Sequence, residues 1–430
     1  MRQNERMVID VTPSASRLTG SLRDIGYDFS AALADIVDNS ISAGASLIDI
    51  EIEFAGIASH VLVADDGCGM TESELNEALR FGSRRTYGSR DLGRFGLGLK
   101  TASLSQCRRL TVVSRRAQFQ RRITARSLDL DRIIRTDRWQ IIEPSDGLPV
   151  ERADEWLGSA PGTVVVWELL DRVLPEARPD GGWARRRLDG LARRSALYLG
   201  MVFHRFIESA DASGRQVVIT VNGEKVRPWN PFAPDEADTT ELPRQVFEVE
   251  AGERSGFVSL RRWLLPPRDR FSSVDEWERL SGPNKWNRQQ GLYIYRSDRL
   301  IQGGGWCGIR AVDEHTKLAR ASLDFETDLD ELFHINVAKM RVVLPPEVRS
   351  PLEAPVHELC HQGDALYRRD YAHSRRRDHP DGDGPPSQDA GSVGADIVAA
   401  ALDAGELESF RKIMERLRQI APRSAEALGW

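Results

Sequence analysis

From residue 27 to 42, apolar side chains recur every three to four positions. Leu33, Ile36, Val37 and Ile41 are separated by polar or small residues. That period predicts an amphipathic helix. The pattern then changes to strand character: residues 47–54 (LIDIEIEF) alternate, and 60–64 (HVLVA) form a short apolar run. Residues 72–81 return to helical spacing, with Thr71 placed as an N-cap and Glu74 three positions on, a capping-box signature. A glycine-rich stretch precedes a predicted helix over 98–106, and strands are expected near 110–114 and 162–170. Mixed strands with interleaved helices predict a two-layer α/β sandwich.

Beyond about residue 180 the rhythm differs. A long amphipathic helix is predicted over 183–207, followed by a hairpin in which Asn222-Gly223 joins VVITV to EKVRPW. Asn-Gly supplies the two positive φ angles of a type I′ turn. Strands are expected over 257–264, 291–295, 299–302 and 318–325. The expected organisation is a first domain over 1–178, a second α/β domain over 179–346 and a helical extension over 347–377. A flexible Pro/Gly/Ser/Asp-rich linker over 378–394 and a C-terminal helical segment over 395–430 complete it.

Composition narrows the class. A chain of 430 residues exceeds one usual core, so more than one domain is expected. A net charge of -6 gives no global bias towards nucleic acid, so any DNA contact must come from a local patch. The start, MRQNERMVID, has no apolar core of a secretory signal, and no apolar run approaches the roughly 18–20 residues that span a bilayer. Cys68, Cys107, Cys307 and Cys360 are far apart and form no CxxC pair. A disulfide framework and a zinc ribbon are both disfavoured, no membrane partner is expected, and the expected compartment is the cytoplasm.

Three segments carry candidate chemistry. Asp35 and Asn39 are four residues apart and share one helix face. An amide oxygen there suits magnesium, and a carboxylate can orient or deprotonate a water. Asp65-Asp66-Gly67-Cys68-Gly69-Met70 follows an apolar strand. Asp65 can accept from an exocyclic amine, Gly67 and Gly69 let backbone approach a flat ring, and Met70 offers it a polarizable surface. Taken singly, these are also what a solvated helix face and a plain Asp-Gly turn look like. The third segment, Gly93-Arg94-Phe95-Gly96-Leu97-Gly98-Leu99-Lys100-Thr101, opens a helix with exposed N–H groups and one full charge. That combination suits phosphate. The basic, glycine-punctuated run before it, with Arg80, Arg84, Arg85 and Arg90, suits a mobile lid over an anion.

The order ADIVDNSISAGA, DDGCGM, GRFGLGLKTAS and Pro161-Gly162-Thr163 resembles the N, G1, G2 and G3 boxes of the GHKL superfamily. That group includes type II topoisomerases, MutL, the large heat-shock chaperone, sensor histidine kinases and MORC proteins. The resemblance covers residues 25–170. It implies a Bergerat ATP-binding fold, followed by a transducer-like (S5-like) α/β domain and C-terminal helices, with ATP and Mg2+ as ligands. By position, Asn39 would hold Mg2+ and Asp65 would read the adenine amine. Gly67, Gly69 and Met70 would shape the base pocket, and Gly93, Gly96, Gly98, Lys100 and Thr101 would meet the phosphates. Thr163 would support Asp65. Asp35 stands where ATPase members carry a water-activating Glu. One methylene fewer can shift a carboxylate by about an ångström, a displacement that can cost about 100-fold in rate. Asp38 faces elsewhere on the helix and is expected to form a salt bridge rather than act on substrate.

The second domain has two segments similar to MORC-type proteins: 290–302 (QGLYIYRSDRLIQ) and 334–344 (HINVAKMRVVL). Lys339 in the latter is the candidate cation for the terminal phosphate. Arg296 and Arg299 are alternatives, expected instead as surface charges beside the Ser297-Asp298 turn. His357-Glu358-Leu359-Cys360-His361 matches the HExxH zinc pattern, but no third ligand follows at a familiar spacing, so solvated histidines are expected. A basic stretch near 367–377 (YRRDYAHSRRR) could touch phosphate backbones or simply end a solvated helix. The favoured class is a slow ATPase clamp resembling MORC or MutL proteins, a nucleotide-dependent homodimer acting on DNA, with residues 8–25 strapping across the partner. A nucleotide-dependent binding module, a chaperone-like ATPase and a sensor kinase are the alternatives.

Overall fold

The structure, a computed structural model, describes residues 13–24, 26–82, 98–116, 122–144, 146–174, 180–208, 216–251, 254–333, 342–378, 397, 407–422 and 425. It divides into two compact units, 1–368 and 369–430. The first contains both sheets.

The chain begins with α1 (Ala15–Arg23) and α2 (Phe29–Ser42). Asp28 caps α2 by accepting from the Ser30 N–H at 2.9 Å, which leaves Tyr27 outside the helix it was expected to start. Twelve of the fourteen residues of α2 are buried, so its polar positions are not a solvated face. β1 (Leu47–Glu53), β2 (His60–Asp65), α3 (Glu72–Ala78), α4 (Gly98–Leu104), β3 (Arg109–Arg115) and β4 (Thr124–Asp129) follow. Next come α5 (Leu130–Thr136), α6 (Leu148–Leu157), β5 (Gly162–Glu168), α7 (Gly182–Val202), α8 (His204–Glu208), β6 (Val218–Val221) and β7 (Glu224–Lys225). The Thr71–Glu74 capping box is formed on α3, and Asn222 and Gly223 take the positive φ values the hairpin requires.

These strands make a seven-stranded sheet in the order β4-β3-β5-β2-β1-β6-β7, antiparallel except for the β1–β6 pair. β2 explains its own sequence. Val61 and Val63 enter the core beneath α2, α4 and α7, while Leu62 and Ala64 meet Ala153 and Leu157 of α6 on the opposite face. A strand covered on both sides reads as a continuous apolar run. This sheet runs across the boundary expected at 178/179. α7 contributes Leu188, Leu191 and Leu199 to the first core, and β6 pairs directly with β1, so the first layer runs on to β7. The described part of the segment expected to strap across a partner forms α1. α1 is tied to its own chain by Arg23, which donates to the Leu104 carbonyl and pairs with Asp171, both at 2.6 Å.

The second sheet holds β8 (Thr240–Ala251), β9 (Arg254–Leu264), β10 (Gly291–Arg296), β11 (Arg299–Gly303) and β12 (Ala319–Phe325), in the order β11-β10-β12-β9-β8. Between β9 and β10 lie α9 (Val274–Leu280) and α10 (Lys285–Gln289), and α11 (Pro346–Asp378) follows β12. β8 has no counterpart among the expected strands. Pro243 interrupts its pattern, and the register shifts there between Leu242 and Gln245, which an edge strand accommodates. In the second unit, α12 (Leu407–Ile420) lies within the expected terminal helix; of the linker expected over 378–394, only Asp378 is described, and it ends α11. No helix among the described residues is long and apolar enough to cross a membrane.

The two sheets are joined through α7, which touches β11 and carries Gly200 against the following chain. Trp229 N–H donates to the Gly200 carbonyl at 2.9 Å, and a Cβ at Gly200 would collide with the Arg227 carbonyl. Gly200→Ala should therefore lower stability by about 2 kcal/mol through overpacking against backbone that cannot rotate away. Urea unfolding monitored by tryptophan fluorescence measures it, and an unchanged midpoint would show that the α7 contact yields freely.

Candidate functional site

The site is built around α2 and the end of β2. Asp65 ends β2 and is buried. Ser40 Oγ donates to its Oδ2 at 2.8 Å and the Gly67 N–H to its Oδ1 at 3.0 Å, with the Thr163 backbone a third donor. Burial raises its pKa from 3.8 to about 6, against the opposing pull of these hydrogen bonds. A carboxylate has roughly four lone-pair positions, so three donors leave capacity for one more, such as an exocyclic amine. Thr163 sits beside it across the β2–β5 ladder, and Ser114 Oγ links Thr163 Oγ1 (3.0 Å), the Gly162 carbonyl (2.9 Å) and the Met70 N–H (2.8 Å).

The glycines of the DDGCGM turn have a reason the sequence did not show. A Cβ on Gly67 would press on Ala43 and on the Asp65 carboxylate. Gly69 has φ +64°, and a Cβ there would strike the Arg115 carbonyl. Both are required by the protein's own close packing. Met70 is half-buried against the first core.

Asp35 lies two turns down α2 and is 3% exposed. The Tyr27 hydroxyl donates to its Oδ2 at 3.0 Å, and Thr101 bonds Tyr27 in turn. Burial first, and then the Asp35 charge, push the Tyr27 pKa up, so Tyr27 remains the donor. α4 starts against this carboxylate: a Cβ on Gly98 would meet Asp35 Oδ2 at 3.6 Å, an ordinary contact. Asn39, one turn on, is exposed. Thr101 is buried.

Lys100, the expected phosphate contact, is turned into the protein. It is 1% exposed, and its ammonium donates to the Ala78 carbonyl at 2.7 Å, at the C-terminal end of α3, with the Phe81 ring 5.8 Å away. Burial lowers its pKa to about 8, partly offset by Glu77. Which face of α4 turns inward decides this, and a seven-residue helix has too few apolar positions to announce it. Gly93, Gly96 and the lid arginines Arg84, Arg85, Arg90 and Arg94 lie outside the described residues, as does Lys339.

Arg296 and Arg299 are not the surface charges expected. Arg296 forms a buried bidentate pair with Asp330, at 2.6 and 2.7 Å. Arg299 leaves the second sheet and enters the first layer. Its Nε lies 2.9 and 3.0 Å from the two Asp38 oxygens, and its Nη2 is 3.8 Å from Asp35 Oδ1. Asp38 is thus the salt-bridge partner it was expected to be, and its cation comes from β11. Sequence reasoning missed Tyr27, Ser40 and Ser114, and held Arg299 only as an alternative cation. Ser40 adjoins Asn39, but adjacency on a helix does not reveal that it turns towards β2. His357 and His361 are exposed on α11, and Glu358 pairs with Arg262 at 2.7 Å. Among the described residues no group of three His, Cys, Asp or Glu is placed to hold a metal.

The arrangement puts a buried carboxylate at a strand end, a second carboxylate against a helix start and an exposed amide between them. Residues 27–163, which supply it, match the family of histidine kinase-, DNA gyrase B- and HSP90-like ATPases. This segment is similar to the GHKL ATPases. The GHKL segment is also similar to DNA mismatch repair protein MutL of Escherichia coli O1:K1 / APEC and of Shigella boydii serotype 18. Identity is 38% over 97 residues in each case, covering 21% of this chain and 15% of theirs. The chain therefore aligns with only a small part of these relatives' length. ATP binding is the property that the GHKL match assigns to this segment.

A folded-state pKa of about 6 against 3.8 unfolded means that Asp65 favours folding while protonated. That contribution is complete below 3.8 and is lost as the pH rises through about 6, a change of about 3 kcal/mol. Asp65→Asn, with no proton to lose, should gain thermal stability over the unmodified protein as pH rises from 5 to 7.5, while its affinity for ATP falls at least tenfold. Melting curves without nucleotide at several pH values check the first part, and titration with a fluorescent ATP analogue checks the second.

Proposed function

We propose that this protein is a Mg2+-dependent, slow ATPase whose nucleotide state drives domain closure and homodimerisation, in the manner of MORC- or MutL-like clamps acting on DNA. The observation that carries the ATP site is Asp65, a buried carboxylate with three protein donors and capacity for a fourth, inside the GHKL segment. The adenine amine would be that fourth donor. Met70 would face the base, and Thr163 would hold Asp65 and an adenine-bound water in place.

Magnesium supplies charge neutralisation for the phosphates when bound. Asn39 fits that role because its exposed amide offers a hard oxygen, and Mg2+ commonly takes few protein ligands beside phosphate oxygens. Gly93, Gly96, Gly98 and Thr101 are proposed to line the phosphates. Lys100 would join them only by leaving Ala78. Its half-neutralised state near pH 8 makes that exchange inexpensive in charge. Asp35, oriented by Tyr27, would accept the proton of the attacking water, and Lys339 would bring a cation to the terminal phosphate.

One observation favours slow turnover or a nucleotide-dependent binding module. Asp35 is the shorter acid, and one of its oxygens is already engaged by Tyr27. A base so held activates water less readily than one facing the nucleotide alone. DNA action and dimerisation rest on likeness to clamps such as the MutL proteins, and a chaperone-like ATPase is the competing use of the same engine.

ATP hydrolysis and size analysis, each with and without DNA, test this reading. Asn39→Ala should lose Mg-ATP binding by tenfold or more. Asp35→Ala should bind ATP but hydrolyse it at least 100-fold more slowly. Normal Mg-ATP binding by Asn39→Ala would remove the magnesium assignment, and wild-type turnover by Asp35→Ala would remove the base. A wild-type protein that stays monomeric with a non-hydrolysable ATP analogue would remove the clamp.

A further inference from the structure

The polar chemistry of α2 is completed by a residue from outside the GHKL segment. Arg299 opens β11, at the edge of the second sheet, immediately after the Ser297-Asp298 turn. Its guanidinium, 2% exposed, lies in the first layer with Asp38 at 1% and Asp35 at 3%. It is fixed from several sides. Nε reaches both Asp38 oxygens, Nη1 donates to the Leu300 carbonyl at 3.2 Å, and the Phe203 ring lies 5.9 Å away. Nη2 is directed at Asp35 Oδ1 from 3.8 Å. Burial alone would lower the arginine's pKa, but Asp38 and then Asp35 outweigh it, so the group is charged at every relevant pH.

Two carboxylates three residues apart on one buried helix repel each other in a medium of low dielectric. A single guanidinium between them removes that conflict only in one geometry. Arginine's planar fork holds a position that a flexible ammonium would not. Asp35 is gripped on one side by the Tyr27 hydroxyl, and on the other it faces Arg299, so its carboxylate plane is set by one local and one distant element. The shorter side chain at this position, one methylene less than a Glu, makes such a setting more necessary, because its reach cannot be adjusted by rotation of an extra bond.

We propose that Arg299 of the second sheet is a positioning residue for Asp35, fixing through its ion pair with Asp38 the helix face from which Asp35 and Asn39 address the nucleotide. Hydrolysis then requires the second sheet to be docked, and displacement of β11 would switch off chemistry without emptying the adenine pocket. The inference rests on the proposed role of Asp35 as base.

Three changes test it in the full chain: Arg299→Lys, Asp38→Asn, and the double variant Asp38→Asn/Arg299→Gln, which leaves no unpaired charge at their contact should a single variant not fold. The expected result in each folded variant is a kcat reduced about tenfold or more, with the Kd for a fluorescent ATP analogue within about threefold of wild type. A purely structural role predicts instead that kcat per folded, nucleotide-binding molecule is unchanged. Asp35→Asn is the reference. If Asp35→Asn is inactive while the folded Arg299 and Asp38 variants keep kcat within twofold, the positioning role is overturned and the base survives. If Asp35→Asn keeps wild-type turnover, the base assignment fails and the positioning role falls with it.

Discussion

Helix α2 is buried almost all round, and it carries four polar side chains into that burial: Ser30, Asp35, Asp38 and Ser40. A buried polar group costs free energy unless it is hydrogen-bonded, and a buried charge costs more unless it is paired. Each of the four has its partner on a different part of the chain. Ser30 meets Ser195 of α7 at 3.0 Å, Asp35 meets Tyr27, Asp38 meets Arg299 of β11, and Ser40 meets Asp65 of β2. The apolar residues of α2 could pack in several rotations about its axis. The polar ones permit one. α7, β2 and β11 are therefore held in a common register by the same helix that presents Asp35 and Asn39.

The same logic recurs in the second sheet with arginine as the buried group. Arg296 is closed by a two-pronged pair with Asp330. Arg320 is fully buried without a carboxylate. It donates to the Pro231 and Leu280 carbonyls at 2.5 and 3.0 Å and lies near the Trp286 and Trp229 rings, and burial lowers its pKa. Replacing such groups by apolar ones is often neutral or stabilising, so their value lies in specifying one arrangement. Carbonyls from two segments converging on a single guanidinium, or a pair reaching between sheets, specify one docking geometry.

How much of this was legible follows from range. Contacts set by helix period, such as the Thr71–Glu74 capping box, could be read because residues three positions apart return to one face. The order of four short segments could be read because it fixes a topology. Asp65 was legible as a residue at a strand end, though not the Ser40 donor that holds it. Arg299 was misjudged because its neighbours, Ser297 and Asp298, form an exposed kind of turn, and nothing local tells a charge at a turn to point inwards. Lys100 shows the opposite case: a lysine in a glycine-rich segment suits phosphate, and nothing local announces that it also caps the end of α3. β8 was hidden by Pro243, which is informative only when the strand is known to lie at an edge. Distant pairing and edge position are properties of the assembled sheet.

Asp65 and Lys100 are both perturbed in acidity within the GHKL segment, in opposite senses and by the same cause. Burial raises the acid to about 6 and lowers the base to about 8, so at neutral pH both are still charged but each is near the point of giving that charge up. Neither is stabilised by the other; each is satisfied by backbone or hydroxyl groups. A site built this way stores unfavourable desolvation in the protein before any ligand arrives. A donor to Asp65 and an anion that draws out Lys100 would each relieve part of it, and the relief would occur at two ends of one nucleotide. Under the proposed reading, a ligand with both a base and phosphates would be rewarded at both places. It also ties recognition to the two elements, β2 and α4, that flank α2 and hence to the helix on which the second sheet is anchored.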